Sequence, residues 1–226
     1  GMAPVLYVGN RNYSSWSIRP WLALTWSGLD FETRDVELDA EGYGEGRIAA
    51  VAAVSPSGRV PALDVGGITI WDSLAICEWA AERAPDASLW PQDASERAVA
   101  RSLACEMHSG FVAIRNELPC NIRRRSPTPA LSEAARREIA RIDAIFASQG
   151  ERAKGCGAYM FGRRSIVDAF YLPMATRMRS YAITLGAAAG AYRDALLADA
   201  DFMRWERAAE ASWKVMSRGD AETRHR

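Results

Sequence analysis

The segment PALDVGGITIW, residues 61–71, leaves few folds open. Two short runs that suit strands are separated only by Gly66 and Gly67, and such a pair closes a tight antiparallel hairpin. Asp72 and Ser73 follow, both helix N-cap types, and a helical stretch then runs to about Ala84, where Pro85 ends it. Upstream, Val5 to Val8 reads as a short buried strand. Leu22, Trp26 and Leu29 recur at near-helical spacing, with Gly28 placed to stop that helix. Phe31 to Leu38 reads as a second strand, and residues 39–54, rich in Gly and Ala, as a loop with a short helix. A βαβ unit followed by a ββα unit implies a mixed four-stranded sheet flanked by helices.

The pattern changes after residue 84. APDASLWPQDAS, residues 84–95, carries two prolines and few apolar residues, as a linker would. No convincing strand follows. Leu103, Met107, Phe111, Ile114 and Leu118 share helical spacing, as do Ala135, Ile139, Ile142 and Phe146. RRRSPTP, residues 123–129, breaks these two helices; Ser165 opens another, and shorter helices fill 191–217. The expected organisation is an α/β domain over 2–84, a linker over 85–93 and an all-α helical-bundle domain over 94–226.

Charge and cysteine usage exclude several classes. The 28 basic and 28 acidic residues cancel, which gives nucleic-acid binding no support. No apolar run approaches the roughly 20 residues of a membrane span, and no secretion signal is apparent. Cys77, Cys105, Cys120 and Cys156 form no C-x-x-C pair and no metal-ligand spacing with His108 or His225. They read as reduced and mostly buried, in a cytoplasmic protein without a metal site.

NYSSWSIRP, residues 12–20, lies between the first strand and the first helix. Its serines can cap the helix, or hold an anion or a thiolate. With Ser17 as N-cap, Pro20 would be the third helical residue, where no intrahelical bond is lost. Ser14 and Ser15 would then lie just before the helix.

SSWSIRPWLAL, GRVPALDVGGITIWDSLAICEW and FGRRSIVDAFYLP, in this order and at these separations, resemble the cytosolic glutathione S-transferases over nearly the whole chain. The serine motif is most similar to the zeta class, whose pattern is S-S-C-S; Trp16 stands here in place of the cysteine. The resemblance implies a thioredoxin-like N-terminal domain that binds glutathione as co-substrate, and a helical domain that helps bind the second substrate. It places the catalytic hydroxyl on Ser14, with Ser15 beside it. A free thiol has a pKa of about 8.5, so a hydroxyl donor and a helix N-terminus must supply about 2.7 kcal/mol to lower it by about 2 units.

The resemblance also implies that Val60 offers backbone N–H and C=O to the glutathione cysteinyl unit beside a cis Pro61. Asp72 and Ser73 would take the γ-glutamyl ammonium and carboxylate. Arg47 is the first candidate for the glycine carboxylate and Arg59 the second. Ser165 and Asp168 would form a capping box with a folding role. Trp16, His108 and Arg115 are candidates for the second-substrate pocket, although a packing residue is the better reading of His108. Arg115, Arg177 and Arg179 either meet an acidic substrate or form a solvated face, the solvated face being the better reading; the run Arg123 to Arg125 reads as solvated.

These features imply a glutathione S-transferase that conjugates an electrophile, working as a homodimer. The alternative is a zeta-type cis-trans isomerase acting on maleylacetoacetate. A non-catalytic glutathione-fold binding protein is the third reading. Thiol–disulfide exchange needs a cysteine where Ser14 stands.

Overall fold

A computed structural model of the chain describes residues 2–36 and 49–211. Four strands form one mixed sheet: β1 (Val5–Val8), β2 (Glu32–Asp35), β3 (Ala62–Val65) and β4 (Ile68–Trp71), in the order β2-β1-β3-β4. β1 runs parallel to β2 and antiparallel to β3, and β4 is antiparallel to β3, with Ala62 opposite Trp71 and Val65 opposite Ile68. The hairpin turns at Gly66 and Gly67, both at positive φ, which glycine adopts without a side-chain clash. The second strand is shorter than the sequence pattern suggested, because Val36 lies past its end; Glu37 and Leu38 are outside the described residues, as is most of the Gly- and Ala-rich stretch before α2 (Ala49–Ala52).

α1 (Ser15–Ser27) and α3 (Ser73–Arg83) pack against each other, and Gly28 closes α1 at φ 77°. The first helix starts earlier than expected. Ser14, not Ser17, is its N-cap, so Pro20 is the sixth helical residue rather than the third. The chain already turns before Ser14: the Asn10 carbonyl accepts from the N–H groups of Tyr13 and Ser14. Pro20 leaves the Trp16 carbonyl without its i+4 donor, and the helix continues through the gap.

Beyond residue 84 the described chain is helical apart from two isolated β-bridges at 159–163. The helices are α4 (Ala94–Ser109), α5 (Val112–Glu117), α6 (Glu133–Ala147), α7 (Gln149–Ala153), α8 (Ile166–Ser180), α9 (Ala187–Leu197) and α10 (Ala200–Ala211). The apolar spacing from Leu103 to Leu118 suggested one helix, but it is two. At Gly110 a Cβ would lie 2.8 Å from the Glu106 carbonyl oxygen, and Phe111 has φ 58°, so the chain leaves the helix there and starts again. Glu138 of α6 accepts the free N–H groups of Ala113 and Ile114 at that restart.

α8 is buried on nearly every face and packs against α1, α4 and α9, so one core joins sheet and helices, with Leu22, Leu63, Met107, Phe170, Met174 and Trp205 in it. Ser165 and Asp168 form the capping box of α8. The Asp168 carboxylate also accepts from the Met160 N–H at 2.9 Å and the Tyr192 hydroxyl at 2.6 Å. All four cysteines are free, but only Cys77 and Cys120 are buried; Cys105 and Cys156 are exposed. Among the described residues no helix is long and apolar enough to cross a membrane, and no group of three His, Cys, Asp or Glu side chains could hold a metal ion.

Candidate functional site

A cavity of about 510 Å³ opens between the sheet domain and the helices. Its wall brings together six of the residues singled out from sequence: Trp16, Val60, Pro61, Asp72, Ser73 and His108. Arg59, the second candidate for a carboxylate partner, lines it too. Ser57 and Trp71 complete it; no sequence pattern marked them, since one lies in an irregular turn and the other ends a strand. Arg47 lies outside the described residues.

The Val60–Pro61 peptide bond is cis, and β3 begins at the next residue, which brings the Val60 backbone to the cavity. The hairpin then returns the chain so that α3 starts at the same wall. Asp72 is the N-cap of α3; its Oδ1 accepts from the Leu74 N–H at 2.9 Å. Its φ of 75° is unusual for a residue with a side chain, and aspartate is among the few that tolerate it. Ser73 Oγ is buried with no hydrogen-bond partner among the described residues. A hydroxyl without a partner at a helix N-terminus suits an anion.

His108 comes from the last turn of α4 and closes the cavity from the helical side. Its Nε2 lies 3.2 Å from Asp72 Oδ2. This hydrogen bond holds the Asp72 carboxyl below its ordinary range, with the Leu74 N–H adding to it, and burial opposes both. The wall thus carries a carboxylate that stays ionised, beside an unpartnered hydroxyl.

The serines sit at the start of α1. Ser14 Oγ donates to Ser17 Oγ at 2.7 Å, and Ser17 Oγ also accepts from the Gly9 N–H at 3.0 Å. Ser17 therefore ties the strand to the helix instead of capping it. Ser14 is half-buried, and Ser15 is buried at 8% exposure. Neither is on the cavity wall; their neighbour Trp16 is.

Trp16 sits among cations. The Arg19 guanidinium lies 4.2 Å from its ring centroid and the Arg115 guanidinium 4.5 Å, while the His108 ring meets it edge-on at 5.4 Å. Arg19 is fully buried, and none of its three guanidinium nitrogens has a hydrogen-bond partner among the described residues. Beyond the Trp16 ring its cation–π partner among the described residues is the Phe170 ring, at 5.0 Å. Burial, and then the charges of Arg115 and Arg177, pull Arg19 well below the ordinary arginine range. Arg115 is lowered as well, by burial first and Arg177 next. The solvated-face reading of Arg177 is overturned: it is 4% exposed, and its Nε donates to the Leu118 carbonyl. Arg124 is likewise buried and Arg123 half-buried, against the solvated reading of that run, whereas Arg125 is exposed as expected. Sequence reasoning singled out Arg115 but missed Arg19, and the convergence of these two on one tryptophan is a tertiary fact.

Residues 13–83 match the family model described as glutathione S-transferase, N-terminal domain. The maleylacetoacetate isomerase of Rattus norvegicus is 37% identical over 113 residues, 50% of this chain and 51% of that protein. The maleylacetoacetate isomerase of Pseudomonas aeruginosa is 41% identical over 108 residues, 46% of this chain and 50% of that protein. The chain thus spans about half the length of the curated relatives it matches. Among solved structures, a bacterial zeta-class maleyl pyruvate isomerase superposes with TM-score 0.66 at 25% identity, covering 91% of this chain and 97% of that one. A transferase homolog from Burkholderia, solved with bound glutathione, gives TM-score 0.68 at 23% identity over 93% and 99%.

Proposed function

Since this chain belongs to the glutathione S-transferase family through its N-terminal domain and its fold, we propose that it is a glutathione-dependent isomerase of a carboxylate-bearing cis-alkene. The observation that carries the substrate class is the buried, hydrogen-bond-free Arg19 beside Arg115 under Trp16. A buried charge without a counter-ion is costly, and a substrate carboxylate would relieve it. The rat and Pseudomonas relatives, each matched over about half of this chain, are maleylacetoacetate isomerases, which favours isomerisation over conjugation.

The cavity residues fit glutathione as co-substrate. Ser73 Oγ and the α3 N-terminus would take the γ-glutamyl carboxylate, and Asp72 the ammonium. His108 would give up or share its contact with Asp72. The Val60 backbone would pair with the cysteinyl unit, and Arg59 or Arg47 would meet the glycine carboxylate. Ser14, at the N-terminus of α1, would turn its hydroxyl from Ser17 to the sulfur and favour the thiolate.

The thiolate then adds to the alkene carbon β to a carbonyl. A C–S bond forms, the π electrons move to the carbonyl oxygen, and the former double bond rotates. Reversal expels the thiolate and leaves the trans alkene, with glutathione unchanged. Arg19 and Arg115 lie against Trp16 rather than on the cavity wall, and a shift of that ring would let them stabilise the developing oxyanion and anchor the carboxylate. Conjugation of an electrophile that cannot expel the thiolate is the second reading, and uses the same residues. A homodimer, as the family resemblance implies, would leave this cavity within each chain.

The test is an ultraviolet titration of bound glutathione in the wild type, Ser14→Ala and Ser15→Ala, with maleylacetoacetate turnover followed in parallel. Thiolate absorbance well below pH 8, lost in Ser14→Ala, together with turnover, is the expected result. A bound thiol that titrates as in water would leave a binding module and end the catalytic reading. A depressed thiol with no isomerisation would favour conjugation.

A further inference from the structure

The loop that carries Ser14 is held from the other domain. Asn12 is fully buried and Asn121 is 1% exposed, and Asn12 Nδ2 donates to Asn121 Oδ1 at 2.8 Å across 109 residues of sequence. Asn12 Oδ1 in turn accepts from the Arg123 N–H at 2.8 Å. The Asn12 carbonyl accepts from the Ile122 N–H at 3.1 Å, and the Cys120 thiol points at it from 3.6 Å. One residue before, the Arg11 carbonyl accepts from Trp205 Nε1 of α10 at 2.8 Å. One residue after, the Tyr13 hydroxyl accepts from Arg123 at 2.9 Å.

The segment 120–123 is itself fixed. Ser180, the last residue of α8, donates to the Asn121 carbonyl at 2.7 Å, and Arg123 also donates to the Ala209 carbonyl of α10 at 3.2 Å. Contacts within the loop set its local turn: Asn10 closes it onto Tyr13 and Ser14, and Ser14 meets Ser17, while the interdomain bonds set where that turn sits against the helices. Three consecutive residues before Ser14 are therefore bonded to elements more than 100 residues away; the Asn12–Asn121 bond at the centre is buried and the flanking bonds are part-buried. Buried hydrogen-bond networks of this kind fix one geometry, because every alternative leaves polar groups unpaired.

We propose that Asn12 and Asn121 are positioning residues, an interdomain clamp through which the helical domain sets the place of the Ser14 hydroxyl. This rests on the reading of Ser14 as the thiol-activating group. Its consequence is that α8 and α10, on the second-substrate side, act on thiol activation on the glutathione side. A clamp of this kind also explains why an α/β domain that could carry its own serine keeps a buried amide pair at the seam. An Asn pair serving packing alone would alter stability and leave the thiol untouched.

The experiment is the ultraviolet titration of bound glutathione in the full chain, for the wild type, Asn121→Ala, Asn121→Asp and Trp205→Phe, with thermal unfolding beside it. Asn121→Asp keeps an oxygen that accepts from Asn12, so it is the conservative rescue. The expected result is a thiol pKa raised by about one unit in Asn121→Ala, near wild type in Asn121→Asp, and raised less in Trp205→Phe, with glutathione affinity changed by less than about threefold. If Asn121→Ala does not fold, Trp205→Phe decides by the same shift. Variants that melt earlier yet titrate as the wild type overturn the clamp and leave the proposed function standing. A wild-type bound thiol that titrates as in water overturns both.

Discussion

Ser14 and Ser17 share one hydrogen bond at the start of α1, with the Ser14 hydroxyl donating to Ser17 Oγ at 2.7 Å. Ser17 has no exposed surface and accepts a second bond from the Gly9 N–H, so it joins the end of the first strand to the first turn of the helix. One serine is thus a structural acceptor and the other a donor that can be redirected.

Replacing Ser17 with alanine removes the partner of the buried Gly9 N–H. The loss should be about 1–3 kcal/mol of stability in urea unfolding, the usual cost of a stranded buried donor. Ser14→Ala, which strands no backbone group, should change stability by less than about 0.5 kcal/mol. Equal stability losses in the two variants would contradict the division of roles.

Arg19 is a buried cation with aromatic neighbours and no hydrogen bond. Arg19→Met should leave the ligand-free protein as stable as the wild type or more stable, by up to about 4 kcal/mol. The same variant should raise KM for carboxylate-bearing substrates about tenfold or more while sparing neutral electrophiles. Destabilisation by several kcal/mol would show instead that the Trp16 and Phe170 rings satisfy the charge.

Asp72 combines a cap, an unusual backbone angle and a wall carboxylate. Asn keeps the acceptor for Leu74 and tolerates positive φ, so Asp72→Asn should alter stability by less than about 0.5 kcal/mol. Removal of the charge should weaken glutathione binding by about tenfold or more, read by calorimetry. Unchanged affinity would remove Asp72 from the site.

Burial raises the Asp168 carboxyl to about 6, against the hydrogen bonds that lower it, Tyr192 first. An unfolded aspartate titrates near 3.9, so between about pH 4 and pH 6 the native state holds a proton that the unfolded chain has shed. The contribution of Asp168 is then full below about pH 4 and is lost as pH rises through about 6, with a slope of at most about 1.4 kcal/mol per pH unit. Asp168→Asn should flatten that limb of the stability curve, and an identical limb in both proteins would refute the shift. If Asp168→Asn does not fold, Tyr192→Phe serves, since loss of that donor should move the limb to higher pH.

The elements that were legible in the sequence are those set by local chemistry. Gly66 and Gly67 between two short β-runs can scarcely do other than turn, and Asp72 before α3 and Ser165 before α8 cap helices in place. The change from strands to helices after residue 84 follows from periodicity alone. Where local signals competed, reading failed. Ser14, Ser15 and Ser17 are all acceptable caps, and only the turn begun at Asn10 decides that the helix starts at Ser15. The stripe from Leu103 to Leu118 keeps helical spacing across Gly110, yet the chain breaks there.

The sequence by itself determined the two-part architecture, the hairpin, the capped helices and which serines stand at the first helix, because each depends on residues within a few positions of one another. Only the tertiary structure decided that Asp72 meets His108, that Arg19, Arg115 and Trp16 converge, and that Asn12 is bonded to Asn121. Those pairs are separated by 36 to 109 residues, apart from Trp16 and Arg19 on one helix. Buried charge and hydrogen bonding depend on what packs around a group, and that is fixed only when the two domains share a core.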